Sequence, residues 1–401
     1  MEYRPITSDD FDGYVGVLAH VFAWDPKPEE IDVERKATEF DRTIAAFDDG
    51  AVVGTGANIT FEMTVPGGTA RAGGVTAIGV LPSHRRGGVL TQMMGRLLDD
   101  SREHEEPLSV LWASESSIYG RYGFGMANRL ATREIERAHV TFIDTKPSPG
   151  RVRLIEKDEA LERLPAVLDQ VVDRYPGMIR RSPLKWEVDL SDLEAWRGGA
   201  TANRFALYEE GGVGLGYARY RVKEEWKEGH PQNTLLANEV IGVNDDATLG
   251  MWRFLFGIDL TKTVKARVRP LRDPLAYFLT DPRRLSFKVT EGIWVRILDV
   301  RVALEARHYP VEGAITIEIT GPDDVAGVYR IEGGPDGASC RRTDGEPDLR
   351  MAVTQLGMRY LGDHDFATLA AAGLVEGDRD ALQRADLMFG WHEPTWCVVG
   401  F

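Results

Sequence analysis

One pattern occurs twice in this chain, and it narrows the possible folds sharply. The segment TAIGVLPSHRRGGVLTQMMGRLL (76–98) runs from a strand-like stretch through a polar turn into a helical period, and EVIGVNDDATLGMWRFLFGI (239–258) does the same, with Ile-Gly-Val in both. In the first copy Val89, Leu90, Met93, Met94, Leu97 and Leu98 recur one and four residues apart, which lines one face of a helix. The stretches upstream also echo each other, VGTGANITFEM (53–63) and VGLGYARYRV (213–222). A repeated strand-turn-helix unit predicts two similar modules that combine strands and helices.

The chain divides into three sections. The first, 1–150, alternates strand and helix signals: AAFDD and AVVGTGAN flank a DDG turn, Ala70 to Leu81 reads as a strand, a helix begins near Gly87, and LSVLWAS reads as a buried strand. TKPSPGR then has the composition of a linker. The second section, 151–286, repeats the unit. The third, 287–401, is an α+β module of another kind, with GIWVRILDVRVALEAR as strand then helix, AITIEIT, VYRIEG, SCRRT and LRMAV as strands, and FATLAAAGLVEGDRDALQRADLMF as a helical stretch broken at Gly377. The expected fold class is therefore α/β and α+β, in tandem modules.

The 63 acidic residues outnumber the 48 basic ones, giving a net charge of −15, so a nucleic-acid partner held by a basic surface is not expected. Two cysteines, Cys340 and Cys397, offer neither a disulfide framework nor a metal-ligand spacing, and no metal is expected. The start MEYRPITSDDFDGY lacks a basic and then apolar leader, and no apolar run reaches the roughly 18 residues of a membrane span. A cytoplasmic protein is expected.

The strongest chemical signal is the turn in the first copy. Arg85 and Arg86 precede Gly87 and Gly88 where a helix starts. Helix N-termini present free N–H groups and a positive partial charge, glycines let a pyrophosphate approach them, and arginines add charge-assisted bonds. The second copy has Asn244, Asp245, Asp246, Ala247 and Thr248 at the same place, and two carboxylates repel phosphate, so it reads as structural or pocket-forming.

The first segment resembles the acetyl-CoA motif of the GNAT acetyltransferases, (Q/R)-x-x-G-x-(G/A): Arg85 and Gly88 match it and Leu90 departs at the third position. The resemblance implies that Ile78, Gly79 and Val80 offer backbone groups to the pantetheine arm, that Arg85, Arg86, Gly87, Gly88, Val89, Leu90 and Thr91 take the pyrophosphate, and that Ser114 and Glu115 lie beside the cofactor. IYGRYGFG (118–125), after LWASES, is similar to the signature of the Eis-type (enhanced intracellular survival) acetyltransferases. The likeness covers essentially the whole chain, with tandem GNAT-like domains and a sterol-carrier-like C-terminal domain that includes GIWVRILDVRVALEAR and WCVVGF.

That resemblance implies an N-acetyltransferase moving the acetyl group of acetyl-CoA to an amine, be it an aminoglycoside, a polyamine or a lysine side chain. It implies Tyr119 as general acid, with Tyr122 as the competing candidate, and the terminal carboxylate of Phe401 as general base. It also implies a hexamer, a trimer of dimers. Trp24 and Asp25, in HVFAWDPKPEE, fall where acceptor-binding residues are expected, although a tryptophan there also suits a core. Gly400 stands beside the terminus where aminoglycoside-modifying members carry an acidic residue, which sets the aminoglycoside assignment apart from acetylation itself. The alternative is a non-catalytic acyl-CoA- or lipid-binding protein on the same fold.

Overall fold

The computed structural model describes residues 1–322 and 324–401. The chain opens with β1 (Glu2–Arg4), two helices (Phe11–Val21 and Pro28–Ala37), β2 (Thr43–Asp48), β3 (Ala51–Val65) and β4 (Gly68–Val80). Asp49 and Gly50 both have positive φ, 48° and 81°, the backbone that a two-residue hairpin needs to join twisted strands, and this is the expected DDG turn. A helix over Val89–Glu103, then β5 (Leu108–Trp112) and β6 (Gly125–Met126), follow. The helix starts at Val89 rather than near Gly87, because Gly88 sits at φ 84° and is its N-cap.

The chain continues with β7 (Arg129–Glu136), β8 (Arg151–Ile155), β9 (Arg204–Glu210), β10 (Val213–Lys223), a small hairpin of β11 (Trp226–Lys227) and β12 (His230–Pro231), and β13 (Asn233–Gly242). A helix over Asp245–Gly257 leads to β14 (Thr261–Pro270), β15 (Ser286–Glu291) and β16 (Ile293–Ile297). The last module has β17 (Gly313–Thr320), β18 (Gly327–Gly334), β19 (Gly337–Arg342), β20 (Leu349–Ala352) and β21 (Val375–Gly377). The stretch expected to be helical with a break at Gly377 is two helices, Phe366–Ala371 and Arg379–Phe389, with β21 between them. Gly373, at φ 73°, ends the first, and Val375 to Gly377 then pair with β20.

Two compact units result: residues 1–128, 292–393 and 399–401 form one, and 129–291 with 394–398 form the other. The first unit holds a seven-stranded sheet ordered β1-β2-β3-β4-β5-β16-β6 and a five-stranded sheet ordered β19-β18-β17-β20-β21. The second unit holds a seven-stranded sheet ordered β8-β9-β10-β13-β14-β7-β15. The two larger sheets match place for place, with one parallel pair in each, β4 with β5 and β13 with β14. The strand beside that pair comes from the other part of the chain: β16 lies between β5 and β6, and β7 lies between β14 and β15. Spatial grouping therefore differs from the sections read along the chain. Arg129–Glu136 joins the second sheet and Ile293–Ile297 joins the first, because periodicity marks a strand but not its partner.

In the first unit, strand alternation sends Ile44 and Ala46 of β2 to one face and Ala45 and Phe47 to the other. The helix Val89–Glu103 covers the former face with Met93, Met94 and Leu97, against Val53, Val75 and Leu111. Phe11, Tyr14, Val15 and Leu18 of the first helix cover the latter.

A buried polar knot ties this sheet to the helix. Arg42, 3% exposed, donates to Glu106 at 2.7 and 2.8 Å and to Asp100 at 2.7 and 3.0 Å. Asn58 Nδ2 reaches Leu97 O and Asp100 Oδ2, both at 2.7 Å. Burial lowers the Arg42 guanidinium, but Glu106 and Asp100 outweigh it, so its pKa lies above the ordinary value and it stays charged. A Cβ on Gly73 would fall 2.1 Å from Ser101 Oγ and 2.5 Å from Glu106 Oε2, so only glycine leaves the knot its room. Arg42→Ala strands the Glu106 carboxylate in the core. Urea denaturation is expected to show a loss of roughly 3–5 kcal/mol, against about 1 kcal/mol or less for an exposed pair.

Candidate active site

The site begins where two parallel strands part. β4 and β5 share three rungs, Ala72 with Leu108, Gly73 with Ser109 and Gly74 with Val110, and no more. β4 runs on to Val80 paired only with β3. Its register against β3 shifts between Thr55 and Ala57, and Ala77 takes φ 53°. This bulge bends β4, and the Thr55 hydroxyl fixes it by donating to Ala77 O at 2.8 Å. Beyond Gly74 the peptide groups of β4 that face β5 have no strand opposite, which suits an amide-bearing ligand that adds itself as a strand.

The parted strand leads into the loop. Pro82–His84 form a 3-10 turn, Arg86 has φ 64° and Gly88 φ 84°, and the helix then starts without a side-chain cap. Gln92 N is the first amide to bond back into the helix, to Gly88 O, so those of Val89, Leu90 and Thr91 point outward with the positive end of the helix dipole. Arg85 Nε donates to Val80 O at 3.0 Å, which pins the side chain against the strand end, and neither Arg85 nor Arg86 makes an ion pair among the described residues. His84 lies between Ser83 Oγ at 2.8 Å and Asp48 Oδ2 at 3.3 Å.

A cleft of about 660 Å³ joins these parts. Ile78, Gly79, Val80, Arg85, Arg86, Gly88, Val89, Leu90, Thr91, Ser114, Glu115 and Tyr119 all line it, which brings together two runs far apart in the chain. Gly87 lies in the loop but does not line the cleft. Val21 and Phe22, at the end of the first helix, line it as well, as do His84, Ile118, Arg121 and Tyr122. Of these only Tyr122 stood out from the sequence. Ile118 and Arg121 lie inside IYGRYGFG and could have been read from it, whereas nothing local marks Val21 or Phe22.

Tyr119 ends a one-turn helix, Ser116–Tyr119, and is 4% exposed. Burial raises its phenol above the ordinary range, a hydrogen bond with Ser114 opposes that, and nearby Glu115 adds to the rise. The proton therefore stays on the oxygen at neutral pH. The Tyr122 hydroxyl is instead engaged with Thr91 Oγ1 at 3.2 Å. Trp24 and Asp25 do not line the cleft. The Trp24 indole donates to Glu30 Oε1 at 3.3 Å and packs on the cluster of Phe11 and Tyr14, and Asp25 is exposed. Phe401 does not line it either. Its ring packs 4.8 Å from that of Phe61, and both rings stand over Gly74, the last rung before the strands part.

The second unit closes the corresponding gap with its own side chains. β13 pairs with β14 only up to Ala237 and Ala266. Beyond that, Arg269 donates to Val240 O at 2.6 Å and to Asp273 at 2.7 Å, and Trp396 Nε1 donates to Val268 O at 2.6 Å. Asn244 caps the following helix by accepting from Ala247 N at 2.8 Å, with Asp245 and Asp246 in the first turn. The neighbouring Glu239 is buried, which alone would raise its pKa, but Arg181 at 3.0 Å and Arg219 at 2.6 Å hold it at about 2. Two carboxylates at this helix start and side-chain donors on Val240 O and Val268 O make the place unsuited to a phosphate.

Parted parallel strands, an uncapped helix N-terminus beside two arginines and a cleft joining them define an acetyl-CoA-dependent acetyltransferase of the GNAT class, and the comparisons agree. Residues 2–127 and 177–301 each match an acetyltransferase (GNAT) domain, and residues 300–398 match a sterol carrier protein domain. Over all of both chains the protein is 37% identical to an uncharacterized N-acetyltransferase of Streptomyces coelicolor. It is 30% identical, over 98% of each chain, to the N-acetyltransferase Eis of Mycobacterium tuberculosis. The crystal structure of Eis1 from Mycobacterium abscessus superposes with a TM-score of 0.88 at 28% identity, covering 100% of both chains. The chain belongs to the family of Eis-like N-acetyltransferases.

GNAT domains use acetyl-CoA, and the open amides and cations of the first copy fit its phosphates. Replacing Arg85 and Arg86 together by alanine is expected to weaken acetyl-CoA binding by roughly 1.5–3 kcal/mol for each charged hydrogen bond lost. Calorimetry reads this directly, and unchanged affinity would move the phosphate site elsewhere.

Proposed function

We propose that the protein acetylates an amine of an aminoglycoside, a polyamine or a lysine side chain, with Tyr119 as general acid and the Phe401 terminal carboxylate as general base. One observation carries this reading: a single cleft places the buried Tyr119 phenol alongside the open edge of β4 and the uncapped helix N-terminus. A thioester whose phosphates sit on the helix and whose arm runs back along β4 has its sulfur end led toward the point where the strands part, in the cleft that Tyr119 also lines.

The chemistry balances. The amine nitrogen forms a bond to the acetyl carbon as the carbon–sulfur bond breaks. The proton shed by the nitrogen passes to the carboxylate, and the phenol supplies one to the departing sulfur. Burial keeps the phenol protonated, and the Ser114 hydrogen bond eases its deprotonation. A chain-terminal carboxyl, with an ordinary pKa of about 3.3–3.7, is ionised and able to accept the amine's proton.

We also read the protein as cytoplasmic and as a hexamer, a trimer of dimers. The family resemblance supports the assembly. Cys340 and Cys397 are both buried thiols, which suits a reducing compartment. No helix among the described residues is long and apolar enough to cross a membrane.

Two measurements test the assignments. Tyr119→Phe is expected to lower kcat about 10²-fold, with acetyl-CoA affinity little changed, while Tyr122→Phe costs much less because its hydroxyl serves Thr91. Near-normal turnover in Tyr119→Phe would assign the acid elsewhere. Amidating Phe401, or appending a tag, is expected to abolish acetylation of a panel of amines without lowering the thermal midpoint. An ordinary frayed end would tolerate a tag of about ten residues, so full activity in such a chain means that the base lies elsewhere.

A further inference from the structure

We infer that Trp112 and Phe61 are positioning residues that hold the last three residues of the chain in place for the reaction, an inference that rests on the Phe401 carboxylate being the base. Trp112 is the last residue of β5, two beyond the final rung with β4. Its backbone is paired with Ile293 on the other edge, so the origin of its side chain is set by the sheet. An indole has one polar atom, a donor, and Trp112 Nε1 spends it on Val399 O at 3.1 Å. Val399 is fully buried.

The other hold is aromatic. The Phe401 ring meets Phe61 with centroids 4.8 Å apart and planes at 60°, a tilted pair of the favoured kind. Gly74 makes that pair possible. A Cβ there would fall 2.3 Å from Phe61 Cε2 and 3.2 Å from Phe401 Cε2, so the rings close over the last rung of β4 only because the residue has no side chain. Between the two holds stands Gly400, exposed, with nothing within 4 Å of where its Cβ would be. The end of the chain is therefore clamped at Val399 and at the Phe401 ring, with a flexible residue between. Releasing either clamp gives Gly400 freedom to swing the carboxylate away, and a displacement of about 1 Å in a catalytic group can cost about 10²-fold in rate.

The test uses the full chain and two readouts. Carboxypeptidase A, which removes an exposed C-terminal phenylalanine, reports how often the end leaves its seat, independently of catalysis. Steady-state kinetics with a responsive amine, together with acetyl-CoA affinity by calorimetry, report its use. Trp112→Phe keeps an aromatic ring but removes the N–H. It is expected to release phenylalanine about tenfold faster than wild type, and to lower kcat about tenfold or more with acetyl-CoA affinity unchanged. Phe61→Leu removes the ring contact and is expected to do the same, and it stands in if Trp112→Phe melts early. Unchanged release in both variants overturns the inference, and so does faster release with unchanged kcat. Wild type trimmed of Phe401 separates the two ideas. If trimming abolishes activity while the variants keep theirs, only the positioning role fails. If the trimmed chain stays fully active, the assignment of the base itself fails.

Discussion

Two parallel strands that share three rungs and then separate leave a row of peptide N–H and C=O groups that the sheet cannot satisfy. Such groups must be paired by water or by a ligand, and here they line a cleft that an amide-bearing ligand can enter. The chain arranges its surroundings around that requirement. The bulge at Ala77 bends β4, the loop after Val80 delivers two arginines and a bare helix end to one side, and the turn after Trp112 delivers Tyr119 to the other. The same arrangement in the second unit has a different outcome, because Arg269 and Trp396 supply donors to Val240 and Val268. One backbone plan thus gives a ligand site where the gap stays open and a closed core where it is filled.

Gly73 and Gly74 show how closely the open gap is built. Adjacent residues of a strand face opposite sides of the sheet. Gly73 yields its side-chain space to the Arg42, Glu106 and Ser101 knot that fastens the helix, and Gly74 yields its space to Phe61 and Phe401. At the last two rungs before the strands part, neither face has room for a methyl group.

Much of this site was legible in the sequence because it lies in two contiguous runs, 78–91 and 114–122, whose residue types state their chemistry locally. The strand, the basic turn and the helical face follow from spacing alone, and the resemblance then marks Tyr119. What was not legible depends on partners far away in the chain. Val21 and Phe22 reach the cleft because their helix packs on the sheet, a fact that no local pattern records. Trp24 has the look of an acceptor-binding residue, but its indole is committed to Glu30 and a neighbouring core. GIWVRIL reads correctly as a strand, yet nothing in its composition tells that its neighbours are β5 and β6. Pairing across a long stretch of chain is a property of the assembled core, and periodicity reports only which face of a strand is apolar.

The exchange of β7 and β16 has a consequence for the way the protein is made. On the ribosome β5 emerges early, but the strand that covers its edge, Ile293–Ile297, emerges only after every strand of the second large sheet. Until then β5, which carries the invitation to pair that any uncovered strand edge presents, has no lasting partner on that side. Domains usually fold as units, the N-terminal one first during synthesis. Here the N-terminal sheet is finished late, so the cleft-bearing half matures after translation of the other half, and a nascent chain stalled before residue 293 would expose an adhesive edge.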